Sequence, residues 1–196
     1  MALSANAIIT LAQGKAFLQE ASEANDTVIE GMISSISTLI ETETSRKVIQ
    51  QTVSNYRLDG LGRRELMVPY VPLQSVSSAV AQDRVTDTVL LTFTNYSITN
   101  PDTGMLMLTD GQVFPRGRNN IVLGMSVGYT ATAPELSIFQ QACCLQLKND
   151  YKRWENQEIG LVQRSLPDGS VVMQAAHSLL IQVLEMVRPY KLRSCG

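Results

Sequence analysis

The apolar residues of this chain change their period twice, and that double switch limits the folds open to it more than any motif does. Val28, Ile29, Met32, Ile33, Ile36, Leu39 and Ile40 recur at the 3.6-residue spacing of one helix face. After Ser45 the pattern falls to period two for about eighty residues, with Gly, Pro, Asn and Asp between short β-branched runs. From Thr132 the helical period returns, and Phe139, Cys143, Leu147, Tyr151 and Trp154 make one broad apolar and aromatic face. Helix stripes on both sides of a strand-rich middle predict an α+β fold. The expected form is a helical bundle of four main helices with a β-rich antiparallel insertion between helices 2 and 3. Residues 1–46 and 132–188 would form the helical domain, 47–131 the insertion and 189–196 an extended C-terminal tail.

Local signals place the elements. Ser4 is positioned to cap a first helix running to about Gln19, with Ile8, Leu11, Ala12 and Leu18 in phase. Thr27 and Glu30 have capping-box spacing at the head of the second helix, which should open at Asp26 or Thr27 and end near Ser45. In the middle region, Asp59–Gly62 and Asn100–Gly104 read as turns, and Pro72 suits the start of a strand or an edge. Val76, Ser78 and Val80 alternate, as do Val89, Leu91 and Phe93, while Ile121, Leu123, Met125, Val127 and Tyr129 line one face of the cleanest strand. The expectation there is a small antiparallel sheet or sandwich. Thr132, Pro134 and Glu135 then open the longest helix, which would span ~37 Å if it ran to Glu158 at about 1.5 Å per residue. Pro167, Asp168 and Gly169 form a hairpin-type turn, and a last helix carrying Leu179, Leu180, Val183, Leu184 and Val187 stops at Pro189.

Composition narrows the class. The 196 residues are 44% hydrophobic, enough for a core without staples, which excludes disulfide scaffolds and disordered chains. Charged residues reach only 17%, whereas Ser, Thr, Asn and Gln total 55, the surface of a protein covered by partners. The net charge of −2 excludes a basic DNA-binding domain, yet it hides a gradient. Residues 1–45 carry six acids and Lys15 alone, a net of −5; the rest is +3, an excess that the last eleven residues, with Arg188, Lys191 and Arg193, can supply alone. Met1–Leu18 lacks the basic leader and long apolar core of a signal peptide, and no segment reaches the ~18 apolar residues of a membrane span. Three cysteines, two of them adjacent, fit a reducing compartment.

No catalytic, cofactor or metal site assembles from these residues. His177 is the one histidine, so a histidine metal cluster is impossible, and a Cys143–His177 pair lacks a third orienting group. Cys143 belongs to the apolar helix face, and Cys144 points about 100° away from it, toward a surface or subunit contact. Gly60, Gly62, Arg63 and Arg64 imitate a phosphate loop, but Glu65 stands where a third glycine is needed; a hairpin turn is the better reading. Asp83, Asp87, Asp102 and Asp110 lie in separate turns without calcium-loop spacing. Arg116 and Arg118 are loop basics open to a phosphate or acidic partner, and Tyr151 and Trp154 suit helix packing better than base stacking.

Taken in order, a capped helix pair, VPYVPLQSVSSAV at 68–80, IVLGMSVGYTATAPELSIFQQACCLQLKNDYKRWEN at 121–156 and LEMVRPYKLR at 184–193 resemble the head-tail connector (adaptor) proteins of long-tailed bacteriophages and gene transfer agents. The resemblance is to the longer version with a β insertion, and it runs from Ile8 to Arg193. Two departures stand out. Gly128-Tyr129 leads through Thr130, Ala131, Thr132 and Ala133 before reaching Pro134, and Lys191 follows Pro-Tyr where the family usually has Arg.

The resemblance implies a non-enzymatic ring, usually a dodecamer, bound to the portal protein in the virion, made in the host cytoplasm and extending the DNA channel toward a downstream neck or tail protein. It implies portal docking by Arg188, Pro189, Tyr190, Lys191, Leu192 and Arg193, with Tyr190 and Leu192 as apolar anchors and the basic residues facing an acidic groove. Double-stranded DNA must pass without specific binding, and carboxylates repel its phosphates. Glu20, Glu23, Glu30, Glu41 and Glu43 are therefore the channel-facing candidates. No cofactor and no membrane is expected. Another neck or tail-completion protein, or the adaptor of a gene transfer agent, would share these features; a small cytoplasmic enzyme would need a polar pocket around His177 and Cys143.

Overall fold

The structure, a computed structural model, describes residues 3–20, 22–83, 85–156, 163–165, 171–173 and 179–192. It is a mixed α+β protein with helices α1 (Leu11–Leu18), α2 (Asp26–Thr44), α3 (Pro134–Glu155) and α4 (Ile181–Val187), and with antiparallel sheets. The chain divides into two compact units, one made by Met1–Ser45 and Ser137–Lys191, the other by Arg46–Leu136 with Leu192.

In the first unit, α1 begins later than its sequence suggests. Thr10 rather than Ser4 is the cap: its hydroxyl accepts from Gln13 N–H at 3.2 Å, and Gln13 Oε1 accepts from Thr10 N–H at 2.8 Å. Ser4 has Ala7 three residues on and cannot form that reciprocal box, so residues 4–7 make a turn instead. Ile8 and Ile9 are buried ahead of the helix, and Ile8 N–H donates to Ser37 Oγ on α2. α2 opens at Asp26 with Asn25 as cap residue, so Thr27 already lies inside the helix and is not the head of a Thr27–Glu30 box; the Asn25 amide donates to Tyr151 Oη and makes no cap bond. It closes on Ser45 in the left-handed region. Its buried stripe of Ile29, Ile33, Ile36 and Ile40 also holds Ser37 and Thr44, whose hydroxyls donate to the carbonyls four residues back and so enter the core satisfied.

α3 takes Pro134 as its first residue, where the missing N–H costs nothing, and its 22 residues span ~33 Å. Phe139, Cys143, Leu147 and Tyr151 are buried as their spacing predicts. α4 starts at Ile181, two residues after the apolar run begins, because Leu180 is still extended and gives its N–H to Gln146 Oε1 on α3 at 2.8 Å. Strands β8 (Gln163–Ser165) and β9 (Val171–Met173) pair antiparallel; the expected turn at Pro167–Gly169 between them lies outside the described residues.

In the second unit, β1 (Gln51–Gly60), β7 (Gly117–Val127), β3 (Leu73–Gln82) and β4 (Val89–Thr92) form one sheet in the order β1-β7-β3-β4. A three-stranded sheet follows the order β2-β6-β5, from β2 (Glu65–Met67), β6 (Met105–Leu108) and β5 (Tyr96–Asn100). Both sheets contribute to one core that includes Leu66, Leu106, Phe114, Ile121, Leu123 and Met125. The expected alternation of Val76, Ser78 and Val80 breaks: a bulge between Val76 and Ser78 reverses the phase, so Ala79 and Ala81 face the core and Val80 does not. Tyr129, expected at the end of β7, is buried one residue past Gly128 in a parallel bridge to Ile49.

Candidate functional site

The C-terminal segment is built on α4. Val183 and Val187 are fully buried and fix the helix, and after Val187 residues Arg188–Tyr190 wind into a 3-10 turn closed by Lys191 N–H on Arg188 O. The tail expected to be extended from residue 189 is therefore folded through Tyr190. The Tyr190 ring stands 5.1 Å from buried Phe139, tilted by 53°, and Lys191 Nζ meets Glu43 Oε1 at 2.7 Å. Lys191 and Glu43 are both about half exposed, so the pair contributes under about 1 kcal/mol.

Beside this turn lies a cavity of about 290 Å³, lined by Glu43, Ile181, Leu184, Glu185, Arg188 and Lys191. Its apolar wall includes the exposed Ile181, and its charged lining holds two acids, Glu43 and Glu185, and two bases, Arg188 and Lys191. Of the six docking candidates, Arg188 and Pro189 are exposed, Tyr190 and Leu192 half-buried, Lys191 is held by Glu43, and Arg193 lies outside the described residues.

The acidic candidates do not converge. Glu20 accepts from the Tyr151 hydroxyl at 3.0 Å and from Ser22 N–H. Burial, followed by that bond to Glu20, pushes the Tyr151 phenol above its ordinary pKa. Glu23 is exposed in the loop before α2. Glu30 and Glu41, eleven residues apart, share one side of α2, and Glu43 stands about 200° around from Glu41. The structure thus joins one acid of the channel set, Glu43, to one base of the docking set, Lys191. Local patterns could not have found that pair, because 148 residues separate its members.

Among the described residues nothing else brings reactive side chains together. His177 and Cys195 lie outside the described residues. Among the described residues no group of three or more His, Cys, Asp or Glu side chains could hold a metal, and no helix is long and apolar enough to cross a membrane. Gly60–Arg64 link β1 to β2 with no helix behind them, which removes the phosphate-loop reading. Asp83 and Asp110 accept turn N–H groups, while Asp102 pairs with Arg46 and Asp87 with Arg57.

Burial, with neighbouring Cys144 adding to it and contact with the Ser37 hydroxyl opposing it, pushes the Cys143 thiol up to about 12. Burial raises the partly exposed Cys144 thiol as well, so an alkylating reagent at pH 8 should add at most one label, slowly, to the tryptic peptide holding Cys143 and Cys144, and two after denaturation. Peptide mass mapping reads the difference. The unfolded thiol loses its proton near 9.0 and the folded one near 12, so this group makes stability fall as pH rises through that window.

Comparison with known proteins follows the whole chain. A family model described as "Head completion protein" matches residues 7–192. Among solved structures, a chain in "Virion of native gene transfer agent (GTA) particle" superposes with a TM-score of 0.62 at 15% identity, covering 100% of this chain and 95% of that one. One in "Neck of empty GTA particle computed with C6 symmetry" gives 0.62 at 14%, with the same coverage. A third, in "Neck of native GTA particle computed with C12 symmetry", gives 0.57 at 15%, covering 100% and 98%. At these identities the likeness is one of fold. No curated protein matches.

Proposed function

Because the chain belongs to the head completion protein family, we propose that it is a structural head-tail adaptor of a virion neck, seated on the portal and offering the tail its attachment surface. The observation that carries this reading is the extent of the family match, which runs from residue 7 to residue 192 and so takes in both compact units and the C-terminal turn. The fold shared with chains of particle necks supports the same location. The helices would act as a bundle carrying the β unit as an insertion between α2 and α3.

As an adaptor the protein works as a ring, and a dodecamer is the expected count, since a neck containing a chain of this fold was computed with C12 symmetry. Its low charge content suits the flanks of such a ring, because little charge must be desolvated when copies meet. Docking to the portal falls to residues 188–193. For Tyr190 to enter a portal groove it must leave Phe139, and Lys191 must exchange Glu43 for an acid of the portal. Glu20, Glu23, Glu30, Glu41 and Glu43 give the N-terminal segment a negative field that keeps passing DNA from adhering. The chain would remain soluble in the host cytoplasm until a filled head recruits it.

Mixing the full chain with its cognate portal should give portal particles bearing an added ring under negative-stain electron microscopy. Unchanged portal particles would refute the adaptor role. Rings found instead on isolated tail tubes would make this a tail-completion protein.

A further inference from the structure

One transverse row of side chains crosses the large sheet on its core face. Leu58 on β1 is opposite Ile121 on β7, Ile121 is opposite Ala81 on β3, and Ala81 is opposite Leu91 on β4. Directly opposed residues share a face, so all four point to the interior side. The middle of the row is sealed, with Ile121 0% and Ala81 1% exposed, but Leu91 at the end is 49% exposed. The interior layer stops short of β4. Val89 and Leu90 beside it are exposed as well, so this edge strand shows apolar side chains on both faces together with an unpaired backbone edge. Natural edges are blunted with Lys, Pro or an inward charge, and Val89–Thr92 carries none of these.

β1, the other outer strand of the same sheet, borders a hollow. Next to β1, a recess of about 370 Å³ is lined by Leu58, Leu61, Leu66 and Met67 together with Arg57, Asp59 and Asn119. Leu61 is 62% and Met67 60% exposed, values that leave two large apolar side chains in water. One subunit thus carries an uncovered apolar edge and, beside its other outer strand, a hollow of mixed lining with two exposed apolar side chains and no occupant among the described residues. A knob and a hollow at different places on one chain make a heterologous contact, which repeats from copy to copy and closes into a ring when the rotation permits.

We propose that β4 of one copy, through Val89, Leu90 and Leu91, docks against β1 and the Leu61–Met67 recess of the next copy, and that this contact joins the ring. The occupant, a second copy of this chain, rests on the ring reading above. The sense of the strands agrees with it: β4 runs opposite to β1 within the sheet, so β4 of one copy beside β1 of the next continues the antiparallel order. Arg57 on β1 also fixes the β3–β4 hairpin by its ion pair with Asp87, holding the edge in place before docking.

The test uses the full chain with its cognate portal. Leu91→Lys should abolish rings while leaving the thermal midpoint of the free protein within a few degrees of wild type, since Leu91 is already half in water. In a Cys144→Ser, Cys195→Ser background, Leu91→Cys combined with Met67→Cys, or with Leu61→Cys, should give on oxidation a ladder of covalent oligomers ending at the ring. Wild-type ring assembly by Leu91→Lys would overturn the proposal. So would a disulfide dimer from Leu91→Cys alone, which would mean that two β4 edges pair with each other, and so would rings that yield no ladder from either cysteine pair. If the wild-type chain itself forms no rings on the portal, the ring reading falls first and this contact with it.

Discussion

Removing residues 188–196 is expected to lower affinity for the portal at least 100-fold while leaving a folded protein. The structure says what the deletion does to the free subunit. It strips Tyr190 from Phe139, a ring pair worth about 0.5–1.5 kcal/mol beyond its area, and it frees Glu43 from Lys191, worth less than about 1 kcal/mol. A loss of about 2 kcal/mol in all predicts a melting midpoint lower by about 4–8 °C, short of unfolding for a chain of this length. Portal binding, measured by pull-down or interferometry, should vanish over the concentration range in which wild type saturates. Lys191→Ala separates the two effects: stability should hardly move, whereas affinity should fall about tenfold if a portal acid replaces Glu43 as its partner. Binding by the truncated chain at wild-type strength would remove the docking role from this segment.

A large effect on stability is expected at Gly128. Its φ is +97°, and a Cβ there would sit 2.3 Å from the Ile49 carbonyl oxygen and 2.8 Å from the Gln50 nitrogen. Both obstacles are backbone, so no side chain can rotate out of the way. The same residue gives its N–H to Pro72 O, and Tyr129 next to it gives its own to Val48 O. Gly128→Ala must therefore bear left-handed strain of about 1–2 kcal/mol and strain or break two hydrogen bonds of about 1 kcal/mol each. A loss of about 4 kcal/mol, on the order of 10 °C in melting midpoint, should follow and be visible by calorimetry. Gly31→Ala is the control: a Cβ at that point of α2 meets nothing within 4 Å, and the change should be neutral or slightly stabilising.

Much of the fold was legible where one hydrophobic period ran long enough to outweigh local accidents. α2, β7 and the buried face of α3 stand where the spacing of Ile29–Ile40, Ile121–Val127 and Phe139–Tyr151 puts them. The misses have individual causes. The start of α1 turned on which of two hydroxyl residues had a glutamine three places on, and the start of α4 on the side chain of Gln146, 34 residues away. The phase of β3 was lost to one extra residue in a bulge, which no alternation rule anticipates. The candidate site was legible as chemistry and not as geometry. The basic segment ending at Lys191 and the acidic N-terminal segment are plain in the sequence, but not that Lys191 finds Glu43. Val89, Leu90 and Leu91 likewise announce a strand, while their lack of cover depends on where the second sheet stops.

The hydrogen bond from Tyr129 to Val48, 3.0 Å long, has a consequence for how such a chain can change over time. The segments that lead into β1 and out of β7 touch there, so the chain enters and leaves this set of strands side by side. A tight turn could join those two segments directly, and a longer or shorter set of strands could hang from them without altering the backbone at their base. The strands are in this sense free to be rebuilt while their point of attachment stays as it is.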